Sequence, residues 1–256
     1  MYIDTHTHLQ FESYDEDREV VIQRAIKNNV DAMITIGTDL ESSHQALELA
    51  EKFAVIYASV GIHPNDCKGS TSSDLAKIIK MAKEEKAIAI GEIGLDYYRL
   101  VVSKEKQQEV LRSQIHIARD LGLPIIIHNR DAHGDIYKVL KEEKAEGIGG
   151  VFHSFTGDIK FLESILNLNY YVSFTGPVTF KNTNYNQLIE RVPPEQLLLE
   201  TDSPFLSPVP FRGKRNEPSY VRYIAEKISQ VKGLTIERLA EITSENAKNL
   251  FHLISK

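Results

Sequence analysis

Short apolar runs rich in β-branched residues alternate along this chain with longer stretches whose apolar residues recur every three or four positions. The short runs are Tyr2–Asp4, Ala32–Ile36, Val55–Val60, Ala87–Ile90, Pro124–Ile127, Gly150–Phe152, Tyr170–Phe174 and Leu197–Leu199, eight in all. Their near-continuous apolar character predicts strands buried on both faces, as in a parallel sheet covered by helices. Between them lie amphipathic segments. In Lys104–Leu121, the residues Leu111, Ile115, Ala118 and Leu121 share one face at spacings of four, three and three. Gly122 suits the left-handed position that ends such a helix, and Pro124 opens the next strand. Val221, Ile224, Ala225 and Ile228 repeat the pattern, Gly233 interrupts it, and a last helical stretch runs to about Leu253. Eight strands alternating with helices predict an α/β (β/α)8 TIM barrel. A doubly wound open sheet is the alternative, because periodicity does not reveal closure. No G-x-G-x-x-G follows a strand, so the main sign of a dinucleotide-binding sheet is missing.

Composition adds limits. With 256 residues, 42% hydrophobic and 26% charged, the chain is globular, and no Pro/Gly/Ser-rich stretch divides it. One domain spanning 1–256 is expected. Thirty basic against 36 acidic residues give a formal charge of −6, which argues against coating nucleic acid non-specifically but not against gripping one strand end. Cys67 is the only cysteine, so no intrachain disulfide can form and a reducing compartment fits. The first residues carry no signal-peptide pattern, and no apolar run approaches the ~18 residues of a membrane span. A cytoplasmic protein is expected, with no membrane association, no obligate protein partner and a monomeric state.

The polar residues fall in a pattern. In a barrel the C-terminal ends of the strands converge on one mouth, which carries the active site. Strand 1 ends in Asp4-Thr5-His6-Thr7-His8, strand 3 in Gly61-Ile62-His63-Pro64, and strand 4 in Gly91-Glu92-Ile93-Gly94-Leu95-Asp96. Strands 5, 6 and 8 end in His128-Asn129-Arg130, His153-Ser154-Phe155 and Glu200-Thr201-Asp202-Ser203-Pro204. Five of the nine histidines stand at these ends, while His44, His116, His133 and His252 lie in or at the start of helices. His6 and His8, two apart in extended chain, point to one side and can chelate one ion. Together with Glu92, His128, His153 and Asp202 they make six nitrogen and oxygen ligands, enough for two divalent ions bridged by a carboxylate and a hydroxide. Glu92 is the natural bridge, since Lys86 stands at the opposite end of its strand. Asp202 is placed to act as general base. Glu200, two residues back, either supports a ligand or is a plain strand-end carboxylate.

Taken together these blocks, with His128-Asn129-Arg130-Asp131-Ala132, His153-Ser154-Phe155-Thr156-Gly157 and Arg212-Gly213-Lys214-Arg215-Asn216-Glu217-Pro218, resemble the TatD family of metal-dependent deoxyribonucleases over the whole chain. The resemblance implies a (β/α)8 barrel of the metal-dependent hydrolase superfamily. It further implies that His6, His8, Glu92 and Asp202 serve one metal and Glu92, His128 and His153 the other. Magnesium-dependent 3′→5′ exonuclease activity on single-stranded DNA and RNA is implied as well. Ser154 departs from the cysteine often found at that position in the family.

The expected reaction is hydrolysis of nucleic-acid phosphodiesters by a bridging metal hydroxide, with Asp202, Glu92 and His63 in catalytic roles. His63 contacts the scissile phosphate, protonates the leaving oxygen, or serves as a hydrogen-bonding support. Arg130 offers a bidentate fork to phosphate. Arg212, Lys214 and Arg215 lie in a proline-stiffened basic loop suited to an adjacent phosphate, and Tyr97, Tyr98, Phe155 or Phe211 offer rings for a base. Imidazole-rich ligation suits zinc, manganese, nickel or cobalt better than magnesium. The alternative is a binuclear amidohydrolase, lactonase or phosphotriesterase acting on a small molecule.

Overall fold

Each apolar run becomes a strand, and all neighbours pair in parallel. The computed structural model describes residues 1–181 and 183–253; residues 182 and 254–256 of the expected single domain lie outside the described residues. The strands are β1 (Tyr2–Thr7), β2 (Val30–Ile36), β3 (Ile56–Val60), β4 (Ala87–Asp96), β5 (Ile125–Arg130), β6 (Gly150–Phe152), β7 (Tyr171–Phe174) and β8 (Leu197–Leu199). They are ordered β1 to β8 in one sheet. Helices α1 (Arg18–Lys27), α2 (Leu40–Lys52), α3 (Ser72–Met81), α4 (Lys104–Leu121), α5 (His133–Glu142), α6 (Ile159–Leu166), α7 (Tyr185–Arg191) and α8 (Val221–Lys232) follow the strands in turn, and α9 (Ile236–Phe251) ends the chain. The result is the TIM barrel expected from the alternation, not the open sheet.

The last pairing, β8 to β1, is completed by side chains. A single parallel bridge joins Thr7 to Ser203, beside backbone bonds from Asp202 N to His6 O (2.9 Å) and His8 N to Ser203 O (2.7 Å). Below them the buried Asp4 carboxylate accepts from Thr201 N at 2.9 Å and from Thr201 Oγ1 at 2.6 Å. A side chain thus takes the place of ladder carbonyls along this seam.

Strand alternation sorts the apolar residues into two cores. One set, with Met33, Ile56, Val60, Ile125, Phe152, Val172 and Leu199, packs against the helices. The other set, with Ile3, Ile34, Ile88, Ile126, Val151 and Leu198, fills the barrel floor together with Ala247, Leu250 and Phe251 of α9. Helix ends follow the local chemistry. Ser103 Oγ accepts from Lys106 N to start α4, and Gly122, at φ 67°, ends it. Among the described residues no helix is long and apolar enough to cross a membrane.

Candidate metal centre

On three strands the mouth residues continue the inward face set by the floor. His128 follows Ile126 by two, His153 follows Val151 by two, and Glu200 and Asp202 follow Leu198 by two and four. On β1 and β4 the pairing register shifts, between Asp4 and Thr7 and between Ile90 and Ile93, so His6, His8 and Glu92 reach the same space from irregular strands. Gly94 makes this possible. It has φ 151°, and a Cβ there would stand 1.8 Å from the carbonyl oxygen of His128, so only glycine lets β4 lie so close to β5.

Glu92 is the hub. Its Oε1 lies 2.8 Å from His128 Nδ1, 2.8 Å from His153 Nε2 and 3.7 Å from His63 Nε2, while its Oε2 is 3.5 Å from His6 Nε2. Asp202 Oδ1 stands 3.7 Å from His6 Nε2 and 3.5 Å from His8 Nε2. The donor atoms fall into three overlapping groups, each within 4.8 Å: His6, His153 and Asp202; His6, His8 and Glu92; and His63, Glu92 and His128. All six expected ligands therefore meet, and His63 meets them.

The donor set fits divalent cations. Nδ1 of His8 is 3.0 Å from the Ile36 carbonyl, to which it donates, so in the neutral ring Nε2 carries a bare lone pair. That lone pair faces His6 Nε2 at 3.3 Å, with the buried carboxylates Glu92 and Asp202 beside both rings. Burial, then the neighbouring His153, lowers the His6 pKa and keeps its ring neutral. Burial would raise Glu92, but His153, His63 and His128 hold it well below the usual carboxylate range. Burial would lower His153, yet Glu92 and Glu200 raise it well above the usual imidazole range. Imidazole protons thus stand where positive charge is wanted, and a metal ion displaces such protons when it binds.

Further residues orient the ligands. Asp96, buried at the end of β4, has Oδ2 3.3 Å from His128 Nε2 and accepts from Asn65 Nδ2 at 3.0 Å; its Oδ1 accepts from the backbone of Tyr98 and Arg99. It fixes the His128 ring so that Nδ1 faces Glu92. Glu200 Oε1 accepts from Ser154 N at 2.6 Å and lies 3.7 Å from His153 Nδ1, which favours a supporting carboxylate. Ser154 itself bonds Thr175 through its hydroxyl and touches none of the six expected ligands. Sequence reasoning did not single out Asp96 as a site residue or Asp4 as the seam residue, although both stand within the quoted blocks.

The proposed substrate residues differ in how they are held. Arg130 is exposed at the end of β5, its guanidinium 4.1 Å over the exposed Tyr98 ring. Arg212 lies over Phe180 at 4.4 Å, and Lys214 is exposed. Arg215 is held otherwise: it grips Asp17 through two bonds of 2.9 and 2.6 Å and covers Tyr14, so its fork is already engaged in strapping the loop to the start of α1. His63 Nδ1 accepts from Asn65 N at 3.1 Å, and burial, then His128, lowers its pKa to about 3. Of the four rings considered for stacking, Phe155 is buried, Tyr97 hydrogen-bonds Asp135, and Phe211 stacks on Tyr220; Tyr98 alone is exposed. His44 and His116 are exposed on helices, and His133 stacks on Phe161.

A family profile described as "TatD related DNase" matches residues 3–252. The chain belongs to the TatD-related DNase family. Within reach of this TatD-family sequence is the "Uncharacterized metal-dependent hydrolase YabD" of Bacillus subtilis (strain 168), 48% identical over 254 residues that cover 99% of this chain and 100% of the relative. The "3'-5' ssDNA/RNA exonuclease TatD" of Salmonella typhimurium is 32% identical, covering 98% and 99%. Among solved structures, the "YJJV, TATD Homolog" from Escherichia coli K12 superposes on this TatD-family chain with a TM-score of 0.91 at 28% identity, covering 99% and 98%.

Proposed function

We propose that this chain is a divalent-metal-dependent hydrolase of nucleic-acid phosphodiesters, a 3′→5′ exonuclease acting on single-stranded DNA, and on RNA, from a free 3′ end. The observation that carries the reading is the convergence of His6, His8, Glu92, His128, His153 and Asp202 on one point, with Glu92 shared by both halves of the set. Family membership supports the metal-dependent hydrolase class, and the exonuclease name of the Salmonella typhimurium relative supports the substrate. The buried lone Cys67 accords with a reducing cytoplasm.

His6, His8, Glu92 and Asp202 would hold one cation, and Glu92, His128 and His153 a second. When bound, such cations neutralise phosphoryl oxygens and lower the pKa of water from near 16 towards about 7. The chain's own groups do the rest. Asp202, beside both His6 and His8, accepts the proton of the attacking water as its oxygen bonds to phosphorus, and that proton is passed on to the leaving oxygen as its bond to phosphorus breaks. His63 takes the role of phosphate contact: because its Nδ1 accepts from Asn65, the neutral ring carries its proton on Nε2, directed at the centre. Arg130, held flat on Tyr98, offers its fork to a phosphate, and Arg212 and Lys214 serve the next one.

The test is a time course with metal-stripped protein and a single-stranded oligonucleotide labelled at its 5′ end, to which magnesium or manganese is returned. The expected product is a ladder shortening from the 3′ end with wild type and not with Asp202→Ala. Intact substrate with either ion, in protein that binds metal, overturns the reading and turns attention to esters and amides.

A further inference from the structure

The loop after β8 holds a phenylalanine out of the fold beside the metal centre. Of the ten phenylalanines, Phe205 alone is exposed, with half of its surface in solvent. Its ring centroid lies 6.0 Å from His8 and 6.3 Å from Phe11, edge-on to both, and Phe11 stacks on His8 at 4.6 Å. The ring therefore adjoins a metal-ligand imidazole directly.

Its exposure is imposed by a rigid backbone. Phe205 N donates to Asp202 O at 2.9 Å, and Phe205 O accepts from Asn216 Nδ2 at 2.6 Å. The following Leu206 adopts φ 55°, a left-handed backbone that leucine seldom takes. Beneath it, a Cβ on Gly176 would stand 1.9 Å from Leu206 O, so the loop rests on bare backbone. A large apolar ring kept in water by so constrained a loop is a preorganised contact surface, because the ordering that binding requires is already in place.

Charge around the ring selects its occupant. On the Phe11 side runs a groove of about 890 Å³ lined by five carboxylates and two cations, Arg18 and Lys52, which are paired with Asp15 and Glu19. Backbone phosphates are repelled from that groove. On Phe205's own loop, Arg212 and Lys214 are exposed. A flat π surface beside the His8 imidazole, on a loop that also carries exposed cations, matches a base attached to a phosphate chain.

Resting on the nuclease reading above, we propose that Phe205 is the stacking surface for the nucleobase next to the scissile phosphate, and thereby selects strands whose bases are unpaired. A base reaches the ring only when it is free of its complement.

The experiment is a double-mutant cycle between ring and base, read as Kd by fluorescence anisotropy of metal-loaded protein with a 5′-fluorescein oligothymidine whose terminal linkages resist hydrolysis. Phe205→Ala should raise Kd about tenfold for the intact strand. For the same strand with abasic 3′-terminal nucleotides, wild type and variant should bind alike. Phe205→Trp should bind the intact strand at least as tightly as wild type. Phe11 is unsuited to the test because it supports His8. Equal losses on both strands would overturn the ring's assignment while leaving the nuclease reading standing. Coupling without cleavage of the natural strand would overturn the nuclease reading alone, and no binding to either strand would overturn both.

Discussion

The two ends of the barrel are built from the same strands and use their inward faces for opposite purposes. At the floor, Ile3, Ile34, Ile126, Val151 and Leu198 meet Leu250 and Phe251 of α9 in a wholly apolar plug. Two residues further along, those faces carry the partly exposed His128 and the buried His153 and Glu200, close to the buried Asp4, His6, Glu92 and Asp202. The floor is held by contacts that depend on volume and hardly on direction. The mouth is held by directed bonds, and they are incomplete: His6 Nδ1, His153 Nδ1 and Glu200 Oε2 have no hydrogen-bond partner among the described residues. Buried polar atoms left in that state cost stability. The floor and the outer core thus stabilise a mouth that is arranged for binding charge rather than for its own stability.

The two ends should therefore respond to substitution in opposite ways. Glu92→Gln should lower kcat/KM on single-stranded DNA by at least about a thousandfold, because the shared carboxylate is lost from both halves of the centre. Bound metal, measured by plasma mass spectrometry, should fall with it. The metal-free variant should nevertheless melt within roughly 4 °C of wild type, since the neighbouring imidazoles can shed their protons and relieve the missing charge. Phe251→Ala should do the reverse. Removing this buried ring from the floor should destabilise the fold by about 3–5 kcal/mol, seen as a lower thermal midpoint. Metal content and kcat per folded molecule should stay at the wild-type level. A Glu92→Gln midpoint that drops as far as that of Phe251→Ala would break the contrast.

The floor was legible from the sequence, and so was the gathering of His6, His8, Glu92, His128, His153 and Asp202 at one mouth, for one reason. A short apolar run announces a buried strand, and histidines or carboxylates just past several such runs can only collect at one end of a closed parallel sheet. The helix expected at Lys104–Leu121 forms with those bounds because its face, its Ser103 cap and its Gly122 stop all agree. Strand ends were less legible. β1, β4 and β5 continue through Thr7, Asp96 and Arg130, past the last apolar residue, because polar side chains stay extended when the mouth supplies their partners. Asp4 was opaque since its partner Thr201 lies 197 positions away, and no local pattern announces the pair. Arg215 was grouped with its basic neighbours, but Asp17, 198 positions away, engages it. Nothing in the sequence around Phe205 announces its place against His8, because that neighbour comes from the other end of the chain.

The Asp17–Arg215 pair gives the mildest probe of the contrast, because it belongs to the mouth yet lies at its rim. Both side chains are about a third exposed, so water screens the attraction, and Arg215→Ala should lower stability by no more than about 1 kcal/mol. The pH dependence has a definite sign. The hydrogen bond from Arg215 lowers the Asp17 pKa below its ordinary 3.8. A depressed folded-state value means that the contribution is complete above 3.8 and disappears as pH falls through the lower folded value. Urea midpoints of wild type and Arg215→Ala should therefore differ slightly at neutral pH and converge in acid, and raising the salt at neutral pH should narrow the gap as well. Because Asn216 also holds the loop, through bonds to Thr201 O and Phe205 O, the Kd of Arg215→Ala for single-stranded DNA should change by less than that of Phe205→Ala. A larger loss on DNA than on stability would return Arg215 to the phosphate-binding set and make the strap a secondary use of its fork.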